Sequence, residues 1–126
     1  VVADIVVERG STLVYCAGAI ADLYATMGGK VLYAGKPYRP IYDMALSKAE
    51  KIAGHEVAHD RVMAIGDSVR TDLKGAHTVG IDFLFVTSGI HAEELGSREN
   101  PDADALTATF VAAGGMPKAV MRELRW

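Results

Sequence analysis

Three residues stand where chemistry could be done: Lys36, Asp67 and Asp72. Lys36 and Asp67 each come one glycine after an apolar run that reads as a strand, Val31-Leu32-Tyr33-Ala34 and Arg61-Val62-Met63-Ala64-Ile65 respectively. Asp72 falls in the first turn of the helix that follows the second run. Ligands of open α/β sheets bind beyond the C-terminal ends of the strands. Two carboxylates presented to one crevice there offer the oxygen ligands that a hard cation such as Mg²⁺ takes, with phosphate and water completing the shell. A lysine at a neighbouring strand end would offset charge on a bound phosphate. Each residue also has a plainer reading. Gly66-Asp67-Ser68 is a common turn, Asp72 suits a helix N-terminus through the macrodipole by roughly 0.3–1 kcal/mol, and a loop lysine is ordinarily just solvated. The combination carries more information than its parts.

The elements that must position these residues follow from periodicity and punctuation. Residues 1–7 and 12–15 are β-branched or apolar runs split by Glu8-Arg9-Gly10-Ser11, which predicts two short strands joined by a turn. Ile20, Leu23, Tyr24 and Met27 recur at helical spacing, and Gly28-Gly29 stops that helix. Gly35-Lys36-Pro37 ends the strand at 31–34. Pro40 tolerates the first turn of a second helix, which keeps its period through Ile41, Met44, Ala45, Ala49 and Ile52 to Gly54. A strand at 61–65, a helix from about Val69 to Val79 stopped by Gly80, and a strand over Asp82–Thr87 come next. A short helix near Ala92–Leu95, a polar loop and one or two C-terminal helices, one including Met116–Leu124, complete the prediction. The order strand, helix, strand, helix, strand predicts an α/β fold, a doubly wound parallel sheet with helices on both faces.

The segment Ala64-Ile65-Gly66-Asp67-Ser68-Val69-Arg70-Thr71-Asp72 resembles the fourth sequence motif of phosphatases of the haloacid dehalogenase (HAD) superfamily, in its Gly-Asp-x4-Asp form. Gly35-Lys36-Pro37, followed by a helix, is similar to the third motif as class IIA members write it. The closing Thr87-Ser88-Gly89 agrees, and the resemblance covers roughly residues 16 to 90. It implies a HAD-like Rossmannoid fold. Residues 1–30 would form the C-terminal end of a class IIA-type cap and residues 31–126 the C-terminal half of the catalytic core. It implies that Asp67 ligates Mg²⁺, that Asp72 supports the metal directly or through water, and that Lys36 neutralises the nucleophile and the transferring phosphoryl group, touching substrate as it does so. The implied reaction is hydrolysis of a phosphomonoester through an aspartyl-phosphate.

The family's first motif, Asp-x-Asp after a strand, supplies the nucleophile and the general acid/base, and it is absent here. The Asp102-Ala103-Asp104 sequence lies in a polar loop and reads as a helix start. The second motif, a serine or threonine after an apolar strand, is missing too. With Val1 opening in mid-strand, the sequence reads as the C-terminal fragment of a Mg²⁺-dependent phosphatase, inactive alone, with its nucleophile elsewhere. An exposed apolar strand edge would then seek the missing N-terminal half of the core or a second copy of the chain. A homodimer is compatible with this class. Two other readings compete: a non-catalytic phosphate- or metal-binding assembly module derived from the same fold, and a phosphorelay receiver. In the receiver the acidic cluster precedes the lysine, whereas here Lys36 comes first.

Composition narrows the partners. A net charge of −3 with 13 basic residues spread along the chain argues against nucleic acid or an anionic membrane, leaving a small phosphorylated metabolite as the ligand that the resemblance suggests. One cysteine, Cys16, allows no internal disulfide, reads as a small apolar residue and fits a cytoplasmic protein. No apolar run approaches the roughly 18 residues of a membrane span. His55, His59, His77 and His91 read as surface residues, the tyrosines at 15, 24, 33, 38 and 42 are too scattered for a stacking platform, and Trp126 reads as docking the last helix.

Overall fold

Two β-branched runs at the start of the chain pair as an antiparallel hairpin, β1 (Val6–Arg9) and β2 (Thr12–Tyr15), with Val7 opposite Val14. The computed structural model describes residues 6–9, 12–97 and 99–125, so the expected strand residues 1–5, the turn residues 10 and 11 and the terminal Trp126 lie outside the described residues. Helix α1 (Ala17–Thr26) follows and ends where Gly28 takes a left-handed φ of 87°, which a Cβ would strain. The apolar stripe that predicted α1 is not its buried face. Gly18 and Ala21 are buried, whereas Ile20, Leu23, Tyr24 and Met27 stand exposed among the described residues.

Helix α2 (Arg39–Ala53) begins as expected with a proline in its first turn and ends on left-handed Gly54, whose N–H bonds back to the Glu50 carbonyl. The residues before it, 31–34, join neither sheet, contrary to the sequence expectation. An apolar run becomes a strand only when a neighbour completes its ladder of backbone hydrogen bonds. Past a single 3₁₀ turn (His59–Arg61), strand β3 (Met63–Gly66) runs parallel to β4 (Asp82–Val86), with Ile65 opposite Leu84. The crossover between them is a π-helical turn (Val69–Leu73) continued by α3 (Lys74–Val79), which stops at left-handed Gly80.

The C-terminal region departs from its prediction. Helix α4 (Ala103–Ala112) is present, but the expected helix over Met116–Leu124 is instead a strand, β5 (Ala119–Met121), parallel to β4. Left-handed Gly114 and then Pro117 interrupt any helix, and β4 offers carbonyls and amides that require partners. Lys118 N–H bonds Phe83 O at 2.8 Å, and Thr87 N–H bonds Met121 O at 2.9 Å, extending the ladder at both ends. Residues 92–95 form turns rather than the short helix expected.

The sheet order β3-β4-β5 is parallel throughout, as the alternating pattern predicts. Strands that advance in one direction with right-handed crossovers place successive helices on one face. Accordingly Leu73, Ala76 and Val79 of the first crossover and Phe110 of α4 share a core with Phe83 and Phe85. Phe110 meets Phe85 edge-on at 5.0 Å between ring centroids. The other face carries Met63 and Ile65, each 46% exposed on the edge strand β3. Both crossovers therefore lie on one side, and on the opposite side Met63 and Ile65 are exposed while Leu84 and Val86 of β4 are half-buried.

Phe85 is wholly buried at the centre of this core. Phe85→Ala should cost about 3–5 kcal/mol in urea unfolding. A loss under about 1 kcal/mol would mean that the cluster does not set the stability of the sheet.

Candidate functional site

Strand β3 ends in Gly66, and the chain then turns across the C-terminal edge of the sheet. Ser68 caps the π-helical turn by accepting the Thr71 N–H at 3.3 Å. The wide turn, in which Leu73 N–H reaches Ser68 O at 3.1 Å, buries Leu73 in the core and leaves Asp72 beneath the loop. Asp72 Oδ2 accepts the N–H groups of Asp67 at 3.3 Å and Ser68 at 3.2 Å. Its Oδ1 accepts the Lys36 ammonium at 2.5 Å. The Asp72 side chain is 9% exposed and that of Lys36 51%, so the pair joins a buried carboxylate to a cation whose other donors face solvent. Lys36 lies in the turn closed by Tyr38 N–H to Gly35 O, and the Lys36-Pro37 peptide is cis.

Asp67 is partly buried, and its Oδ2 accepts the Ile90 N–H at 3.1 Å, which ties the loop after β3 to the turn after β4. Its Oδ1 accepts no hydrogen bond among the described residues and remains available. Two glycines make this packing feasible. A Cβ on Gly66 would overlap the Asp72 carboxylate, and one on Gly89 would overlap Asp67. Both glycines serve close approach rather than an unusual backbone angle, since neither has a positive φ. Tyr42, on α2, lies near Asp72. Its burial first, and then the Asp72 charge, push its phenol above the ordinary value.

The three residues singled out in the sequence are thus brought together, with Lys36 on Asp72 and Asp72 beneath Asp67. The arrangement can do two things chemically. It presents one carboxylate oxygen and one ammonium at the edge of the sheet, and it holds them on a rigid buried anion. Among the described residues no group of three His, Cys, Asp or Glu side chains could hold a metal alone. The pair fits a partial Mg²⁺ set, since this ion typically takes one or two carboxylates with water and phosphate. Asp72 is already engaged by three donors and suits support better than direct ligation.

Other candidates sort differently. Asp102 caps α4 by accepting the Ala105 N–H at 2.8 Å, as its reading as a helix start requires. Cys16 is half-buried at the start of α1. His55, His59 and His77 are exposed as expected. His91 is not: it is buried, with Nε2 on the Val69 N–H and Nδ1 on Glu94. No local signal marked it, because the amide that holds it lies 22 residues away. A cleft of about 640 Å³ is lined by Val69, Arg70, Lys74, His91, Glu94 and Thr109 among others. It lies beside the carboxylates rather than on them. The chemistry follows the paired side chains, because the site lies on the open edge of the sheet.

A family model described as HAD-hydrolase-like matches residues 33–113. Among solved structures, the chain is similar to a haloacid dehalogenase-like hydrolase from Brucella suis 1330, with 41% identity over 98% of this chain and 42% of that one, at a TM-score of 0.73. It shares its fold with a possible sugar phosphatase of the HAD superfamily from Cytophaga hutchinsonii ATCC 33406, with 17% identity over 98% of this chain and 40% of that one (TM-score 0.68). It does so also with a p-nitrophenyl phosphatase from Archaeoglobus fulgidus, with 21% identity over 95% and 41% of the two chains (TM-score 0.65). The chain therefore spans well under half the length of these structures. No curated protein sequence matches.

Alanine at position 66 or 89 should drive a methyl group into a carboxylate that cannot retreat. Each variant should lose about 1–3 kcal/mol in thermal or urea unfolding, as overpacked sites do. Unchanged stability in both would show that the loops relax freely and that the carboxylates are not held.

Proposed function

We propose that this chain, which belongs to the haloacid dehalogenase-like hydrolase family, forms the C-terminal part of a Mg²⁺-dependent phosphomonoesterase acting on a small phosphorylated metabolite. The observation that carries the reading is the meeting of Lys36 with Asp72 directly beneath Asp67. Asp67 would hold the cation through its available Oδ1. Asp72 would keep the Asp67 backbone and the Lys36 ammonium in register. The ammonium of Lys36 would offset charge on the phosphoryl oxygens, where a preorganised cation at the edge of the sheet is worth more than one in bulk water. Magnesium, when bound, supplies Lewis-acid stabilisation of the phosphoryl group.

The reaction is proposed to run through an aspartyl-phosphate. A carboxylate oxygen forms a bond to phosphorus as the ester P–O bond breaks, and water then cleaves the acyl phosphate to release inorganic phosphate. Neither aspartate of the site suits the nucleophilic role, since Asp72 is fully engaged and Asp67 is assigned to the cation. The nucleophile is proposed to come from polypeptide other than these 126 residues. The exposed apolar side chains of Met63 and Ile65 on the edge strand β3 support this. They favour packing against the rest of a catalytic core or a second copy of this chain. On the same reading residues 1–30 are the end of a cap and residues 31–126 the second half of the core.

Calorimetric titration of the chain with Mg²⁺ and hydrolysis of an aryl phosphate by a polypeptide that also carries the proposed N-terminal half of the core test the assignment together. Asp67→Asn should weaken Mg²⁺ binding roughly tenfold or more, and Lys36→Ala should lower kcat by about 100-fold with the fold retained. Parent-like behaviour of either variant would remove that residue from the site. Chelator-sensitive turnover by the 126-residue chain alone, lost in Asp67→Asn, would overturn the external nucleophile.

A further inference from the structure

His91 is a buried histidine, 7% exposed in its side chain, for which the proposed reaction has no use. Its ring lies 6.4 Å from that of Phe85, tilted by 32°, against the core. Val69 N–H donates to Nε2 at 3.4 Å, a long bond whose direction nonetheless decides the tautomer. A nitrogen that accepts a backbone N–H carries no proton of its own, so the neutral ring holds its proton on Nδ1. That proton is donated to Glu94 Oε2 at 2.9 Å. Glu94 is mostly exposed, which leaves the imidazole as the fixed member of the relay.

The preceding residue matters as much. Ile90 N–H donates to Asp67 Oδ2. Two consecutive residues of the turn after β4 therefore hold two points of the loop after β3: Ile90 the carboxylate of Asp67, and His91 the backbone of Val69. Between these points lies Ser68, whose N–H is held in turn by Asp72. We propose that His91 is a positioning residue for the Asp67 carboxylate. By accepting the Val69 N–H, it makes the loop at 66–69 and the turn at 89–91 move as one body and keeps Asp67 Oδ1 in a fixed place. The Ile90 N–H is the outer partner that touches the carboxylate, and His91 fixes the loop behind it. The inference rests on the reading of Asp67 as the cation-side carboxylate given above.

The acceptor role separates two substitutions of similar polarity. The amide oxygen of glutamine reaches about as far as Nε2, and that of asparagine only as far as Nδ1. The test uses the ¹⁵N-labelled 126-residue chain, its His91→Gln and His91→Asn variants, and Mg²⁺ as the probe. The parent should show the neutral Nδ1–H tautomer. His91→Gln should keep the Val69 and Ile90 amide resonances near their parent positions and the Mg²⁺ affinity within about twofold, whereas His91→Asn should displace both resonances and weaken Mg²⁺ binding about tenfold. Parent-like resonances in both variants would overturn the proposal, because nothing would then depend on the acceptor. Equal displacement in both would overturn it too, because ring packing rather than Nε2 would be responsible. If the parent shows no response to Mg²⁺, the metal reading of Asp67 fails. In that event the two amide resonances alone decide whether His91 holds the loop.

Discussion

A carboxylate removed from water must be paired, or the fold that buries it is penalised by several kcal/mol. Asp72 is such a group, and much of this structure is arranged around it. Its three donors come from two distant places: the backbone of the loop after β3 and the side chain of Lys36 at the foot of α2. The anion therefore joins elements that have no local reason to meet. Gly66 leaves room for it, Tyr42 comes down from α2 beside it, and the π-helical turn brings it beneath the loop while sending Leu73 into the core. Removing the anion would remove the reason for that loop geometry. Removing a partner would leave a buried charge uncompensated, and that is the costlier error.

The second organising feature is the C-terminal edge of the parallel sheet. Parallel strands bring their ends, and the loops that follow, to one side. The turn after β3 and the turn after β4 are therefore neighbours without any contribution from side chains. Asp67 exploits this by reaching across to the Ile90 amide, and Gly89 permits the approach. The single-sided packing of α3 and α4 has a complementary consequence. One face of the sheet is a packed aromatic and aliphatic core, and the other displays Met63 and Ile65 exposed on its edge strand. The exposed stripe of α1 tells the same story at the other end of the chain. These surfaces have the composition of interiors and the exposure of exteriors.

Much of this was legible in advance, and the reason differs from element to element. Pro40 before a helical period and Gly54 after it located α2 because those residues act through their own φ and ψ. The meeting of Lys36, Asp67 and Asp72 was legible because Gly-Asp-x4-Asp after an apolar strand constrains spacing and chemistry together. The strand expected at 31–34 and the helix expected at 116–124 failed for one common reason. A strand needs a neighbour, so its presence is decided by another part of the chain: residues 31–34 join no sheet, whereas residues 119–121 found β4. His91 was misplaced on the surface because nothing local distinguishes an exposed histidine from one held by a backbone amide 22 residues away.

By itself the sequence determined where α2 starts and stops, the alternation that makes the sheet parallel, and the three side chains, Lys36, Asp67 and Asp72, that the fold brings together. These are properties of backbone preference, periodicity and residue chemistry, and all act over a few residues. Only the tertiary structure decided that Asp72 is a buried support under Asp67, that the last segment is a strand, that α1 turns its apolar stripe outward and that His91 lies inside. Each of those outcomes depends on which distant groups cover a side chain or complete a ladder of hydrogen bonds. Burial and pairing are properties of the assembled chain, and no local pattern contains them.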